Sequence, residues 1–132
     1  MSNVVYPNAL ALFLQAGINL SSGTVKAVAV DTADYAYSSS HTALSDIPSA
    51  ARVGTSAALT SKTFAAGVFD AADTSFASIT GDEFEAIVVY LDSGTESTSY
   101  LLAYIDTATG LPFTPAGVNA NVAWPSSGIF RI

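Results

Sequence analysis

An all-β fold, an antiparallel β-sandwich of jelly-roll-like or immunoglobulin-like build with a short N-terminal helix or arm, is what this sequence predicts, on three observations. Apolar, β-branched stretches of strand length follow one another from Thr24 to the last residue. Gly, Asp, Ser and Pro punctuate them at the spacing of sandwiches and barrels. Only one segment, near the N-terminus, carries helix start and stop signals of its own. A chain of 132 residues is the length of one ordinary domain. Residues 1–132 are therefore expected to form a single sandwich, with residues 1–16 as its N-terminal arm or helix.

The elements follow in order. Asn8 is placed to cap a short helix from Ala9 to Ala16, stopped by Gly17, which accepts the left-handed conformation of a helix end. Leu10, Leu12, Phe13 and Leu14 do not fall on one narrow stripe, so the segment needs cover on several sides. That cover comes either from its own core or from another subunit onto which residues 1–16 dock.

Thr24 to Asp31 is β-branched and apolar on both faces, the pattern of a central strand. Residues 32–51 then turn polar and small. Within them Tyr35 and Tyr37 alternate like strand residues, and Ala43 to Ala51 has room for a brief helical turn. A stretch this long without regular structure is usually functional or poorly ordered.

Short strands are expected at Arg52 to Leu59, Lys62 to Phe64, Val68 to Asp70 and Thr74 to Ile79. Glu85 to Asp92 and Ser99 to Asp106 are the clearest strands, joined as a hairpin by the polar loop Asp92 to Thr98. Gly110, Pro112, Pro115 and Gly117 make Thr107 to Gly117 a connection, because proline cannot donate in a central ladder. Asn121 to Trp124 and Ile129 to Ile132 close the chain as two more strands.

Composition excludes several function classes. Only 11% of residues are charged, against the roughly 25% usual for soluble domains. The surface is thus largely Ala, Ser and Thr, which suits close packing against neighbours. Lys26, Arg52, Lys62 and Arg131 are scattered among eleven acids, for a net charge of -7. Such a chain has no basic patch to displace counterions, so neither nucleic acid nor an anionic membrane is an expected partner. The absence of cysteine rules out disulfides and thiolate chemistry. The start of the chain has no positive charge and the run Ala9 to Ala16 is far short of the roughly 20 residues that span a bilayer, so no signal peptide or transmembrane segment is expected. Asn19-Leu20-Ser21 matches the glycosylation acceptor pattern and reads as a chance match.

The chemical inventory is thin. His41 is the one histidine and no G-x-S-x-G elbow is present, so it reads as a loop residue and the chain as a non-enzyme. Zinc, copper and iron sites need more imidazoles. Asp31 with Asp34, Asp70 with Asp73, and the group Asp82, Glu83, Glu85 lack the spacing of a calcium loop and read as solvated turn carboxylates. No phosphate-binding glycine loop occurs. No metal or cofactor is expected. The tyrosines read mainly as core and rim, with a sugar- or peptide-binding platform as the alternative.

Leu12-Phe13-Leu14 leading into Thr24-Val25-Lys26-Ala27-Val28-Ala29-Val30-Asp31-Thr32, then Leu44-Ser45-Asp46-Ile47-Pro48, resembles a family of small phage virion proteins. The resemblance continues through Leu59-Thr60-Ser61-Lys62-Thr63-Phe64, Gly67-Val68-Phe69-Asp70-Ala71, Glu85-Ala86-Ile87-Val88-Val89-Tyr90 and Tyr104-Ile105-Asp106-Thr107-Ala108-Thr109-Gly110-Leu111-Pro112 to the closing Ile129-Phe130-Arg131-Ile132. It covers the chain from about residue 10 onward and is a pattern of scaffold, with no chemical signature in it. It implies a capsid decoration or cement protein of β-sandwich build, bound as a homo-trimer or homo-dimer to the major capsid protein. Its expected place is the outer capsid surface of the virion, after assembly in the host cytoplasm. Alternatives are a tail, neck or fibre component and a displayed carbohydrate-binding module. The residues expected to contact the partner are Val4, Val5, Tyr6, Leu12 and Phe13.

Overall fold

The computed structural model describes residues 3–132, so the first two residues of the expected arm lie outside the described residues. The fold is all-β and sandwich-like, built of antiparallel sheets with one short N-terminal helix. In chain order the elements are β1 (Val4–Val5), α1 (Pro7–Leu14), β2 (Thr24–Val30), β3 (Arg52–Thr55), β4 (Thr63–Ala65), β5 (Val68–Asp70), β6 (Thr74–Phe76), β7 (Ala86–Asp92), β8 (Leu101–Ile105), β9 (Ala120–Val122) and β10 (Phe130–Arg131). Single turns of 3₁₀ helix occur at Leu44–Asp46, Ser49–Ala51 and Glu96–Thr98.

The main sheet has five strands in the order β1-β8-β7-β2-β3. Its centre is the β2–β7 pair, in register from Thr24 opposite Asp92 to Val30 opposite Ala86. Every residue of β8 and the first five of β7 are buried. Their near-continuous Val, Ile, Leu and Ala content reflects cover on both faces. The β7–β8 hairpin forms as expected, with an irregularity between Val89 and Tyr90. A three-stranded sheet, β10-β5-β4, and a two-stranded one, β6-β9, complete the fold. Phe69 and Ile129 from the former side, and Phe76 and Val122 from the latter, join the strands of the main sheet in one buried cluster.

The terminal strands do not pair with each other: β9 pairs with β6 and β10 with β5. The strand at Lys62 to Phe64 is shifted one residue on, to Thr63–Ala65, because Ala66 and Gly67, both at positive φ, form the two-residue turn into β5. A turn with both central residues left-handed matches the twist of its flanking strands.

Three expectations are corrected. Helix α1 begins at Pro7, whose missing N–H costs nothing in the first turn, and Asn8 is not its cap. The Asn8 amide instead donates to the Ser40 and His41 carbonyls and to Thr42 Oγ1 (3.2, 3.3 and 2.8 Å). The left-handed residue at the helix end is Ala16 (φ 55), not Gly17, and the Gly17 N–H bonds to the Leu12 carbonyl at 2.8 Å. Residues 32–51, with no strand at Tyr35 or Tyr37, are held in place by side chains. Asp46 Oδ2 accepts the Thr42 and Ala43 N–H groups at 2.7 and 3.1 Å. Arg52 donates to the Leu44 and Ile47 carbonyls.

Candidate interaction surface

Of the residues expected to contact a partner, the first three belong to the chain's own fold. Val4 and Val5, half-buried, pair with Tyr104 and Ala103 at the edge of the main sheet. Tyr6 is completely buried, and its N–H donates to the Leu102 carbonyl at 2.9 Å. Two β-branched residues ahead of a proline adopt extended backbone, and that extension carries the Tyr6 ring inward. A tyrosine sealed in this way has no surface to offer, so it is a core residue and not a contact.

The Tyr6 hydroxyl meets that of Tyr35 at 2.8 Å, and the Tyr35 hydroxyl lies 2.8 Å from His41 Nδ1. Tyr37 and Tyr104 complete the aromatic cluster, with ring centroids 5.0 Å (Tyr6 to Tyr37) and 5.6 Å (Tyr37 to Tyr104) apart. Burial, reinforced by the Tyr35 hydrogen bond, drives the Tyr6 pKa far above the ordinary tyrosine range. Burial pushes that of Tyr35 up to about 12. His41 therefore sits against a hydroxyl that holds its proton, and the pair anchors the 32–51 loop to the core. Tyr90 and Tyr104 are also buried, so four of the six tyrosines face inward.

Leu12 and Phe13 are half-buried, and on the same helix Leu14 is 89% exposed. The helix is fixed through Ala9 and through Phe13, whose ring lies 6.3 Å from that of Phe130. From there an aromatic row continues, Phe130 to Phe69 at 5.3 Å and Phe69 to Phe64 at 5.5 Å. The row floors a groove of about 280 Å³, walled by Ile18, Leu20 and Ile132. Phe64 and Ile132 remain 52% and 58% exposed. With Leu14 they are three of the four large apolar side chains that the described part of the molecule leaves in water.

No acidic residue lines this groove. Lys62, just ahead of β4, directs its ammonium onto the Leu20 and Gly23 carbonyls, both at 2.7 Å. Arg131, on β10 between the lining residues Phe130 and Ile132, lines instead a neighbouring cavity with Val4, Val5 and Gly128. The other two cations are ion-paired, Lys26 with Asp92 and Arg52 with Glu96, each at 2.8 Å. Among the described residues, Lys62 and Arg131 have no carboxylate partner.

The carboxylates flagged in the sequence do turn work. Asp70 Oδ1 accepts the Ala71 N–H, Asp73 Oδ1 the Trp124 N–H, and Glu85 Oε1 both the N–H and hydroxyl of Thr32. Folding also gathers Asp31, Asp34 and Asp82 within 4.8 Å, a grouping not foreseen because Asp82 is distant in sequence. Asp31 Oδ1 accepts the Ala33 N–H at 2.9 Å, and Asp34 and Asp82 are in water, where acidic groups often cluster without an ion. No helix of the described residues is long and apolar enough to cross a membrane. Compared with protein-family models and with curated proteins, the chain matches none.

Proposed function

We propose that this chain is a structural protein of a phage virion, one that decorates the outer surface of the head by binding the major capsid protein as a homo-trimer or homo-dimer. The observation that carries the reading is the exposed apolar groove running from Phe13 to Phe64 on a chain with few charges. A contiguous apolar patch held on a rigid scaffold marks a protein contact. The resemblance of the sequence to small virion proteins is the reason for taking a shell subunit as the partner. Many copies on a symmetric shell need only modest affinity each, because every occupied site adds stabilisation by mass action.

The test is the copy number of the chain in purified particles, by quantitative mass spectrometry against the major shell protein. Decoration of a symmetric shell predicts roughly one copy or more per three shell subunits. A ratio of a few hundredths moves the protein to the neck or tail, and its absence from particles overturns the virion reading.

A further inference from the structure

A chain of three polar groups runs from the sealed core to the surface loop. The Tyr6 hydroxyl is completely buried, and among the described residues its one hydrogen-bond partner is the Tyr35 hydroxyl at 2.8 Å. A buried donor left without an acceptor bears its full desolvation cost, so the Tyr6 proton belongs on Tyr35 Oη. Tyr35 has one proton of its own, and it then points at His41 Nδ1, 2.8 Å away. That nitrogen must be a bare acceptor, which leaves the proton of the neutral imidazole on Nε2. A charged imidazole has a proton on both nitrogens and fits no such chain. Its Nδ1 would donate to Tyr35, Tyr35 would donate to Tyr6, and the Tyr6 proton would stay in the core with nothing to accept it.

We propose that His41 is an acid-sensitive latch on the 32–51 loop: charging its ring reverses the hydroxyl chain, so the ring leaves Tyr35 and releases Ser38 to His41. The latched loop holds one proton fewer than the released one, so release is favoured as pH falls through the range of about 8 to 5 in which histidine changes charge. The groups that face the ring do not change charge with it. On the core side stand Tyr35, Tyr6, Tyr37 and, from β8, Tyr104. Burial makes Tyr6, Tyr35 and Tyr104 hold their protons more firmly than a free tyrosine does. Helix α1 brings no titratable side chain. Asp46 favours a charged ring, but its carboxylate already accepts the Thr42 and Ala43 N–H groups, which hold its pKa below the ordinary value and keep it ionised through this range. Thr42 marks the end of the released segment, since its carbonyl accepts the Leu101 N–H and its N–H is held by Asp46. The Asn8 amide donates to the Ser40 and His41 carbonyls, so release also loosens the first turn of the helix that carries Phe13 and Leu14.

The experiment follows the full chain, labelled with nitrogen-15, by NMR from about pH 8 to pH 5. At the upper end, long-range correlations within the His41 ring should show Nδ1 bare and Nε2 protonated. As the ring charges, order parameters of the amides of residues 39–41 should fall from about 0.85 to below about 0.6, and the Asn8 side-chain amide should shift. Amides of Thr42, β2 and β7 should keep their values. His41→Asn sets an oxygen that cannot titrate close to the place of Nδ1, and its loop should stay rigid over the whole range. If that shorter side chain leaves the loop loose at pH 8, His41→Gln serves the same purpose. A proton on Nδ1 at pH 8 overturns the proposal, as does a loop that stays rigid while the ring is seen to charge. Loosening that persists in a variant rigid at pH 8 overturns it too, and so does loss of order that spreads through β2 and β7, which is acid unfolding and not a latch.

Discussion

The five-stranded and three-stranded sheets are made of similar residues and are used in opposite ways. In the larger sheet, β7 and β8 present almost no surface, and its N-terminal edge is closed onto the core by Tyr6. In the smaller one, β4 is exposed throughout and Phe64 is half in water. The difference shows where apolar side chains serve folding and where they remain available for association. Removing apolar area from water contributes roughly 25 cal/mol per Å², and this term is already realised at Tyr6 but still outstanding at Phe64.

The comparison is broken most directly by substituting one aromatic from each sheet. Tyr6→Ala should destabilise the chain by about 3–5 kcal/mol in urea unfolding, since it empties a sealed site and removes one of the two hydrogen-bond partners of the Tyr35 hydroxyl. Phe64→Ala should cost under about 1 kcal/mol in the same assay. Similar losses for the two would end the distinction between a sheet closed by folding and one left open to water.

The inward side of the small sheet should behave like the large one. Gly128 has φ +104, and a Cβ there would come 2.3 Å from Val68 Cγ1 and 3.2 Å from the Phe69 carbonyl oxygen. Gly128→Ala is expected to cost about 2–4 kcal/mol, measured by the same unfolding curves, because both backbone strain and overpacking oppose it.

A pH titration sharpens the comparison further. Tyr6 and Tyr35 have pKa values raised above the ordinary 10 in the folded chain, so the folded state keeps protons that the unfolded state releases. Their contribution to stability is complete below pH 10 and is lost as pH rises from 10 through about 12. Urea midpoints taken at pH 8 and at pH 11 should fall, and the fall should shrink in Tyr35→Phe. A flat profile would mean that this cluster opens to water.

The smallest effect belongs to the β4–β5 turn. Ala66 sits at φ 54, a conformation that asparagine tolerates better than alanine. Ala66→Asn should stabilise by about 0.5 kcal/mol, a shift visible in thermal melts.

How far these regions could be read in the sequence follows the same division. Thr24 to Asp31, Glu85 to Asp92 and Ser99 to Asp106 were legible because burial on both faces demands continuous runs of β-branched and apolar residues. Val68 to Asp70 was legible to the residue. Strand β1 was not, since two valines are too few to display a period. The order of residues 32–51 was hidden for another reason: it depends on Asn8, Asp46 and Arg52 reaching across the chain, and local pattern says nothing about such bonds. The groove joins Phe13, Phe64 and Phe130, which have no neighbourhood in sequence, so its only advance sign was an N-terminal segment too apolar to stand alone.

The pairing of β1 with β8 joins the two strands most distant in sequence within the main sheet. During synthesis at about 5–20 residues per second, Val4 and Val5 wait on the order of 5–20 s before Leu101–Ile105 is made. Until residue 86 is made, β2 and β3 have neither β7 nor β8 beside them, and until β8 follows, the place that Tyr6 will fill does not exist. Strand β1 is thus among the last elements of the main sheet to find its partner, and the nascent chain remains open to quality control until β8 has been translated.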